Sequence, residues 1–176
     1  MRTLPCLALF VLVTAVCAAE PVFNGKDLTG WKHKASKKST DTPALDGKTE
    51  AFKGRFKVVD GAIVIDGVVK GDAWIETVAP IEGDVTVRVE FNPGPTCNND
   101  TQFRGIKFDL KKADIKNLKD NDWNTLEIVV KGDKAEYRCN GESIKTLTAK
   151  EGKSPFALRA ESGTIKVRKI EVEKSK

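Results

Sequence analysis

Apolar and polar residues alternate with a period of two over many short stretches of this 176-residue chain. The clearest alternation runs from Asp84 to Phe91, where every second residue is Val or Phe. Such alternation is typical of strands with one buried face, and helical periodicity is almost absent. The pattern predicts an all-β fold, an antiparallel β-sandwich.

The remaining strands are predicted from shorter alternating runs at 56–59, 62–65, 72–78, 102–110, 124–130, 134–138, 142–147, 156–159 and 164–172. Asp60-Gly61 predicts a type I′ hairpin, because both central residues of that turn need a positive φ. Asn140-Gly141 predicts a second turn. In the last strand the apolar parity changes after Val167, which predicts a bulge near Arg168-Lys169. The polar segment 36–48 is predicted as an exposed loop, and the polar segment 111–121 as a short helical turn or a connecting loop.

The first nineteen residues have the layout of a secretory signal: Arg2, an apolar run over 4–16, and small residues at 17–19. We therefore expect cleavage after Ala18 or Ala19, export to the periplasm or the outside of the cell, and a single domain over 20–176. The apolar run is shorter than the roughly 20 residues that a membrane span needs. No later stretch approaches that length, so no transmembrane segment is predicted.

The formal charge of the chain is +5, from 30 basic and 25 acidic residues. The basic residues are scattered over strands and loops and are not interleaved with aromatic residues on one patch. This pattern is that of a solvated surface and argues against nucleic acid as a partner.

After removal of the signal, Cys97 and Cys139 are the remaining cysteines. In an oxidising compartment they could form a disulfide, or they could be two free thiols on separate loops. A structural zinc site is not expected, because His33 is the only histidine and no CxxC pair is present. Trp31 and Trp123 are predicted as core anchors rather than as platforms for sugar rings.

Three segments carry a family resemblance. The segment 22–31 reads VFNGKDLTGW, the block 122–132 reads DWNTLEIVVKG and is followed by Asn140-Gly141, and the block 155–170 reads PFALRAESGTIKVRKI. These resemble the opening, central and closing blocks of the 3-keto-disaccharide hydrolase family, also called the 3-keto-α-glucoside-1,2-lyase/3-keto-2-hydroxyglucal hydratase domain. Together the matches span most of the chain after residue 20.

The resemblance implies a concanavalin-like or laminin-G-like jelly roll that binds carbohydrate in a groove on one curved sheet. Carried over to this sequence, it implies Glu90 and Glu161 as catalytic carboxylates and Arg104 and Arg159 as substrate-binding residues on that groove. Such carboxylates could act as general acid or base, or hold a divalent metal ion. The same four residues could instead form surface ion pairs.

The sequence departs from the family pattern in its middle. Family members carry a long insertion before the central block, whereas this chain has only the polar segment 111–121. It therefore resembles a minimal member. Two functions stay open: cleavage of oxidised 3-keto-glycosides by a hydrolase or lyase, and carbohydrate binding or surface association without catalysis.

Overall fold

A computed structural model describes residues 18–35, 40–69 and 72–175 of the chain. Over these residues the regular structure is entirely β. The strands are β1 (Glu20–Pro21), β2 (Trp31–His33), β3 (Glu50–Ala51), β4 (Phe56–Val59), β5 (Ala62–Ile65), β6 (Ala73–Thr77), β7 (Ile81–Glu82), β8 (Val85–Pro93), β9 (Asn98–Phe103), β10 (Ile106–Leu110), β11 (Asn124–Lys131), β12 (Lys134–Cys139), β13 (Glu142–Thr148), β14 (Lys153–Ser154), β15 (Ala157–Ser162) and β16 (Ile165–Lys174).

The larger sheet has nine strands in the order β13-β12-β11-β8-β16-β5-β4-β3, with β1 paired to β16. Its central strand β8 shows the alternation that the sequence predicts. Val85, Val87, Val89 and Phe91 are fully buried, while the residues between them are only half-buried. All strand pairs are antiparallel.

The smaller sheet has five strands in the order β10-β9-β15-β6-β2. It contributes Ile75, Phe103, Phe108 and Leu158 to the same hydrophobic core as the larger sheet. Burying the inner faces of the two sheets against each other leaves each sheet with a polar outer face. The short strands β7 and β14 form a separate pair. The predicted antiparallel β-sandwich is confirmed.

The two tryptophans predicted as core anchors have different places. Trp31 is fully buried and meets Phe156 edge to face, with ring centroids 6.5 Å apart. Trp123 is only half-buried, and the guanidinium carbon of Arg168 lies 3.8 Å from its ring centroid. The prediction for Trp31 is confirmed, and that for Trp123 is wrong because its ring packs against a charged side chain outside the core.

Both predicted turns and the predicted bulge are present. Asp60 and Gly61 have φ values of 50° and 76°, and Asn140 and Gly141 have 50° and 84°. These are the left-handed conformations of a type I′ hairpin. In β16 the register shifts between Arg168 and Glu171.

One predicted strand was wrong in a way that matters for the site. The segment 102–110 was predicted as a single strand, but the chain reverses at Arg104 and Gly105 between β9 and β10. Arg104 and Gly105 have φ values of 53° and 70°. Arginine rarely adopts this conformation, so the residue types did not signal the turn. Strand β9 instead starts at Asn98.

Of the two segments predicted as loops, 111–121 agrees with its prediction and 36–48 agrees only in part. The segment 111–121 consists of turns, as predicted. Of the loop 36–48, residues 36–39 lie outside the described part of the chain, and Leu45 is buried in the core. That loop is therefore not fully exposed.

The predicted signal over 1–19 lies almost wholly outside the described residues, which start at Ala18. Within the described residues, no helix is long and apolar enough to cross a membrane.

Candidate functional site: the outer face of the five-stranded sheet

Two rows of side chains cross the outer face of the smaller sheet. In the first row, Asp109, Asp100, Arg159 and Trp74 stand directly opposite one another on β10, β9, β15 and β6. The second row consists of Lys107, Gln102, Ala157, Glu76 and Lys32 on all five strands. Their neighbours along each strand point into the core. We call the surface formed by these two rows the charged face.

Arg159 is the hub of the first row. Its Nε and Nη2 bind the two carboxylate oxygens of Asp72 at 2.8 and 3.0 Å. Its Nη1 donates to Asp100 at 2.8 Å and to Glu161 at 2.6 Å, and its guanidinium carbon lies 5.4 Å from the Trp74 ring centroid. The hydrogen bond to Asp72 is the main cause of the raised pKa of Arg159. The side chain is therefore held as a fixed cation against an aromatic ring.

Asp100 is the buried acid of this face, and none of its side chain is exposed to solvent. Burial, together with the neighbouring carboxyl of Asp109, raises the pKa of Asp100 to about 7. The hydrogen bond from Asp100 lowers the pKa of Asp109 to about 2. Lys107 lies beside both, with its Nζ 2.7 Å from Asp109 and 3.5 Å from Asp100. The two carboxyls thus share a proton near neutral pH.

The second row contains a small cleft above Ala157. The volume of this cleft is about 50 Å³, and Lys34, Gln102 and Glu151 are among its lining residues. Glu76 stands opposite Ala157 and is nearly buried, with Lys34 and Lys32 at 2.8 and 3.4 Å. A methyl side chain between two long polar ones leaves room on an otherwise crowded sheet. The space suits a water molecule or a single ligand hydroxyl.

The structure brings together only two of the four predicted site residues. Arg159 and Glu161 lie side by side on β15. Glu90 lies on β8 of the other sheet, where its carboxylate binds Arg168 and Lys169 at 2.7 Å each. The burial pattern of β8 places it on the outer face of that sheet, so it cannot share a groove with Arg159.

Arg104 is also separate from the charged face. Its side chain is 1% exposed, and its Nη2 donates to the carbonyl of Gly83 at 2.8 Å. As a turn residue with a buried guanidinium it cannot bind a substrate from solvent. The predicted four-residue groove is therefore not formed.

Of the two alternatives for the cysteines, a disulfide or two free thiols, the structure has the free thiols. Cys97 and Cys139 are both buried free thiols. The Cys97 thiol donates to the carbonyl of Leu110 at 3.1 Å, so its sulfur has a partner other than Cys139. Burial raises the pKa of both thiols, that of Cys139 to about 11.

The carboxylates around Arg159 do not fit a divalent metal ion. Asp72, Asp100 and Glu161 all direct oxygen atoms at the guanidinium, which supplies the positive charge that a metal would. Among the described residues, no three His, Cys, Asp or Glu side chains are arranged as metal ligands. The divalent metal ion considered from the sequence therefore has no site among the described residues.

Sequence reasoning missed Asp100, Asp109 and Trp74 as site residues. Asp100 lies in the run NNDT at 98–101, and Asn and Asp are depleted in strands. One signal was available: Lys107 and Asp109 alternate with Ile106, Phe108 and Leu110, which places two opposite charges on the outer face of one strand.

The fold is an all-β jelly-roll sandwich. The outer face of its smaller sheet is charged and contains the cleft above Ala157. A protein from Parabacteroides distasonis provisionally assigned as a glycosyl hydrolase shares the fold with a TM-score of 0.64 and 16% identity, over 88% of this chain and 93% of that chain. A carbohydrate-binding module from Bacillus subtilis has a TM-score of 0.51 and 11% identity, over 83% and 96%. β-Agarase A from Zobellia galactanivorans has a TM-score of 0.56 and 11% identity, over 82% of both chains.

The sequence pattern of the 3-keto-α-glucoside-1,2-lyase-like domain family matches residues 18–117 and 106–173. The chain belongs to this family. No curated protein matches its sequence significantly.

Proposed function

We propose that this protein is an exported carbohydrate-active domain that binds an uncharged glycan on the charged face of its five-stranded sheet. The observation that carries the proposal is the register pair of Trp74 and Arg159, flanked by the carboxylates of Asp72 and Glu161. An aromatic ring next to fixed hydrogen-bonding groups suits a sugar, which has both an apolar ring face and hydroxyl groups. The cleft above Ala157 adds the amide of Gln102.

Charge pairing on this face favours an uncharged ligand. Arg159 is bonded to three carboxylates, Lys107 is bonded to Asp109, and Lys34 is bonded to Glu76. An anionic glycan would have to break one of these pairs, whereas a hydroxyl group can donate to the partly exposed carboxylate of Glu161 without breaking its pair with Arg159. Family membership supports a sugar ligand in general.

Binding is tested by probing a glycan array with the purified protein and titrating the best neutral oligosaccharide by calorimetry. The proposal expects saturable binding that survives moderate salt, because the contacts are hydrogen bonds and ring packing rather than net charge. Absence of binding to every neutral glycan, or preference for uronic or sulfated glycans, would contradict it.

Cleavage of 3-keto-glycosides is a second candidate function, and a specific observation favours it. Asp100 and Asp109 have pKa values displaced in opposite directions, to about 7 and about 2, which is the pattern of a general acid beside a carboxylate. In elimination, a base removes the proton next to the keto group, an acid protonates the leaving oxygen, and a cation such as Arg159 stabilises the enolate. The covered position of Asp100 leads us to place binding first.

The two functions are separated by incubating the protein with an aryl 3-keto-glucoside and following release of the aglycone. Binding alone gives no release above the buffer rate. Turnover that is lost in Asp100→Asn but kept in Glu90→Gln would establish the enzyme, since Glu90 lies on the opposite sheet. The same outcome would contradict a protein that binds glycans without cleaving them.

Export is the third part of the proposal and rests on residues 1–19 of the sequence. It is tested by expressing the full chain in a Gram-negative host and sequencing the N-terminus of the product. A product that starts at residue 19 or 20 in the periplasmic fraction is expected. An intact N-terminus in the cytoplasmic fraction would contradict export.

A further inference from the structure

Arg55 is a buried arginine whose guanidinium donates to three backbone carbonyls of the described residues. Arg55 is 2% exposed. In the sequence it directly precedes β4 of the larger sheet. Its Nη1 donates to the carbonyls of Asp66 and Val69, and its Nη2 donates to the carbonyl of Glu161 at 2.8 Å. One guanidinium therefore joins the loop 66–69 to the end of β15.

One of the two segments that Arg55 joins carries Glu161, a partly exposed carboxylate that holds Arg159. Glu161 provides both the carbonyl for Arg55 and the carboxylate for Arg159. Burial lowers the pKa of Arg55, and the negative charges of Asp66 and Asp72 act in the opposite direction.

The position of Glu161 is not set by regular strand pairing. The register between β9 and β15 shifts between Arg159 and Ser162, and the side chain of Asn99 accepts from the Glu161 amide at 2.9 Å. The loop containing Gly67 packs directly on this bulge, because a Cβ at Gly67 would lie 2.8 Å from the carbonyl carbon of Gly163. Side chains and loop contacts therefore determine where Glu161 points.

We propose that Arg55 is a positioning residue for the glycan-binding face: it fixes Glu161 beside Arg159 by bonding the Glu161 carbonyl and joining it to the loop 66–69. This inference rests on the proposed function for the ligand-binding consequence, and on geometry alone for the positioning. A lysine cannot replace the planar fork of donors that reaches all three carbonyls.

The test compares Arg55→Met and Arg55→Lys with Ile128→Ala. Ile128 is fully buried on β11 of the larger sheet, so its replacement destabilises the fold without touching the charged face. Two quantities are measured: the NMR resonance of the Arg159 Nε–H group, and the affinity for the best neutral oligosaccharide from the array. If Arg55→Met does not fold, the comparison is made with Arg55→Lys alone.

Both Arg55 variants are expected to shift the Arg159 resonance and weaken the affinity about tenfold, while Ile128→Ala changes neither. An unshifted resonance with unchanged affinity in the Arg55 variants, or equal effects in Ile128→Ala, would overturn the positioning role. If the wild-type protein binds no glycan, the proposed function fails, and the Arg159 resonance by itself still decides whether Arg55 positions the face.

Discussion

Asp100 and Arg159 stand directly opposite each other on β9 and β15, and Arg159 Nη1 lies 2.8 Å from Asp100 Oδ2. The carboxyl of Asp100 is wholly covered, whereas 18% of the Arg159 side chain is exposed. The pair thus links the buried half of the charged face to its solvent-facing half. Stability, pH response and ligand binding should all depend on it.

Replacing Arg159 should destabilise the fold more than replacing an arginine of the opposite sheet. Arg159→Met removes the cation from a buried carboxyl, and we expect the free energy of unfolding to fall by about 3 kcal/mol. Arg88→Met is the matched control, because Arg88 also bridges two carboxylates but is 40% exposed. It should cost less than about 1 kcal/mol. Urea denaturation at pH 8, where Asp100 is ionised, measures both losses, and equal losses would contradict a buried ion pair at Arg159.

The raised pKa of Asp100 predicts a decrease in stability between pH 4 and pH 7. In this window the folded protein keeps the Asp100 proton, since its pKa is about 7 rather than the ordinary aspartate value of 3.8, while the unfolded chain loses it. Stability should therefore fall as pH rises, by at most about 1.4 kcal/mol per unit for one group.

Asp100→Asn is the variant that tests this titration. An asparagine can still donate to Asp109 and accept from Arg159, but it does not ionise. Urea unfolding between pH 4 and pH 8 should show wild type and variant converging at the acid end, with the variant more stable at pH 8. Parallel curves across the whole range would show that Asp100 titrates normally.

Trp31→Ala and Trp123→Ala should reduce the free energy of unfolding by very different amounts. Trp31→Ala opens a cavity in the core beside Phe156 and should cost about 3–5 kcal/mol. Trp123→Ala removes a contact with Arg168 on the outer face and should cost about 1 kcal/mol. Thermal or urea unfolding distinguishes these values. Similar losses of stability for both variants would contradict the position of Trp123 outside the core.

The buried cysteines should be free and unreactive in the native protein. Burial raises the pKa of Cys97 and Cys139, and the thiolate is the reactive form. In protein lacking the signal, a thiol reagent such as DTNB should detect none in buffer and both in denaturant. Absence of thiols in denaturant, together with a mass lower by two hydrogens, would establish the disulfide.

The sequence predicted the larger sheet well because its strands follow simple rules. The alternation in β8 and the turns at Asp60-Gly61 and Asn140-Gly141 depend on local residue types. The bulge in β16 was also visible, since a change of apolar parity has few other causes. These features need no knowledge of the rest of the chain.

The charged face was harder to predict because its residues follow no local rule. Strand β9 carries Asn98 and Asp100, which disfavour strands, and its turn uses Arg104 with a positive φ. Glu90 fitted the family pattern, but only the strand order shows that it lies on the other sheet from Arg159. Local sequence rules tend to fail at functional or strained sites, and the start of β9 at Asn98 and the turn at Arg104, which they did not predict, lie on or next to the charged face.

The most direct test of the account compares glycan affinity in Trp74→Ala and Trp123→Ala. Both are half-buried tryptophans packed against an arginine. Trp74 lies on β6 of the smaller sheet, whereas Trp123 directly precedes β11 of the larger sheet. We predict that Trp74→Ala weakens binding of the best neutral oligosaccharide at least about tenfold, equivalent to roughly 1.4 kcal/mol, while Trp123→Ala binds as the wild type does. Unchanged affinity in Trp74→Ala, or a loss confined to Trp123→Ala, would contradict the assignment of the charged face as the binding site.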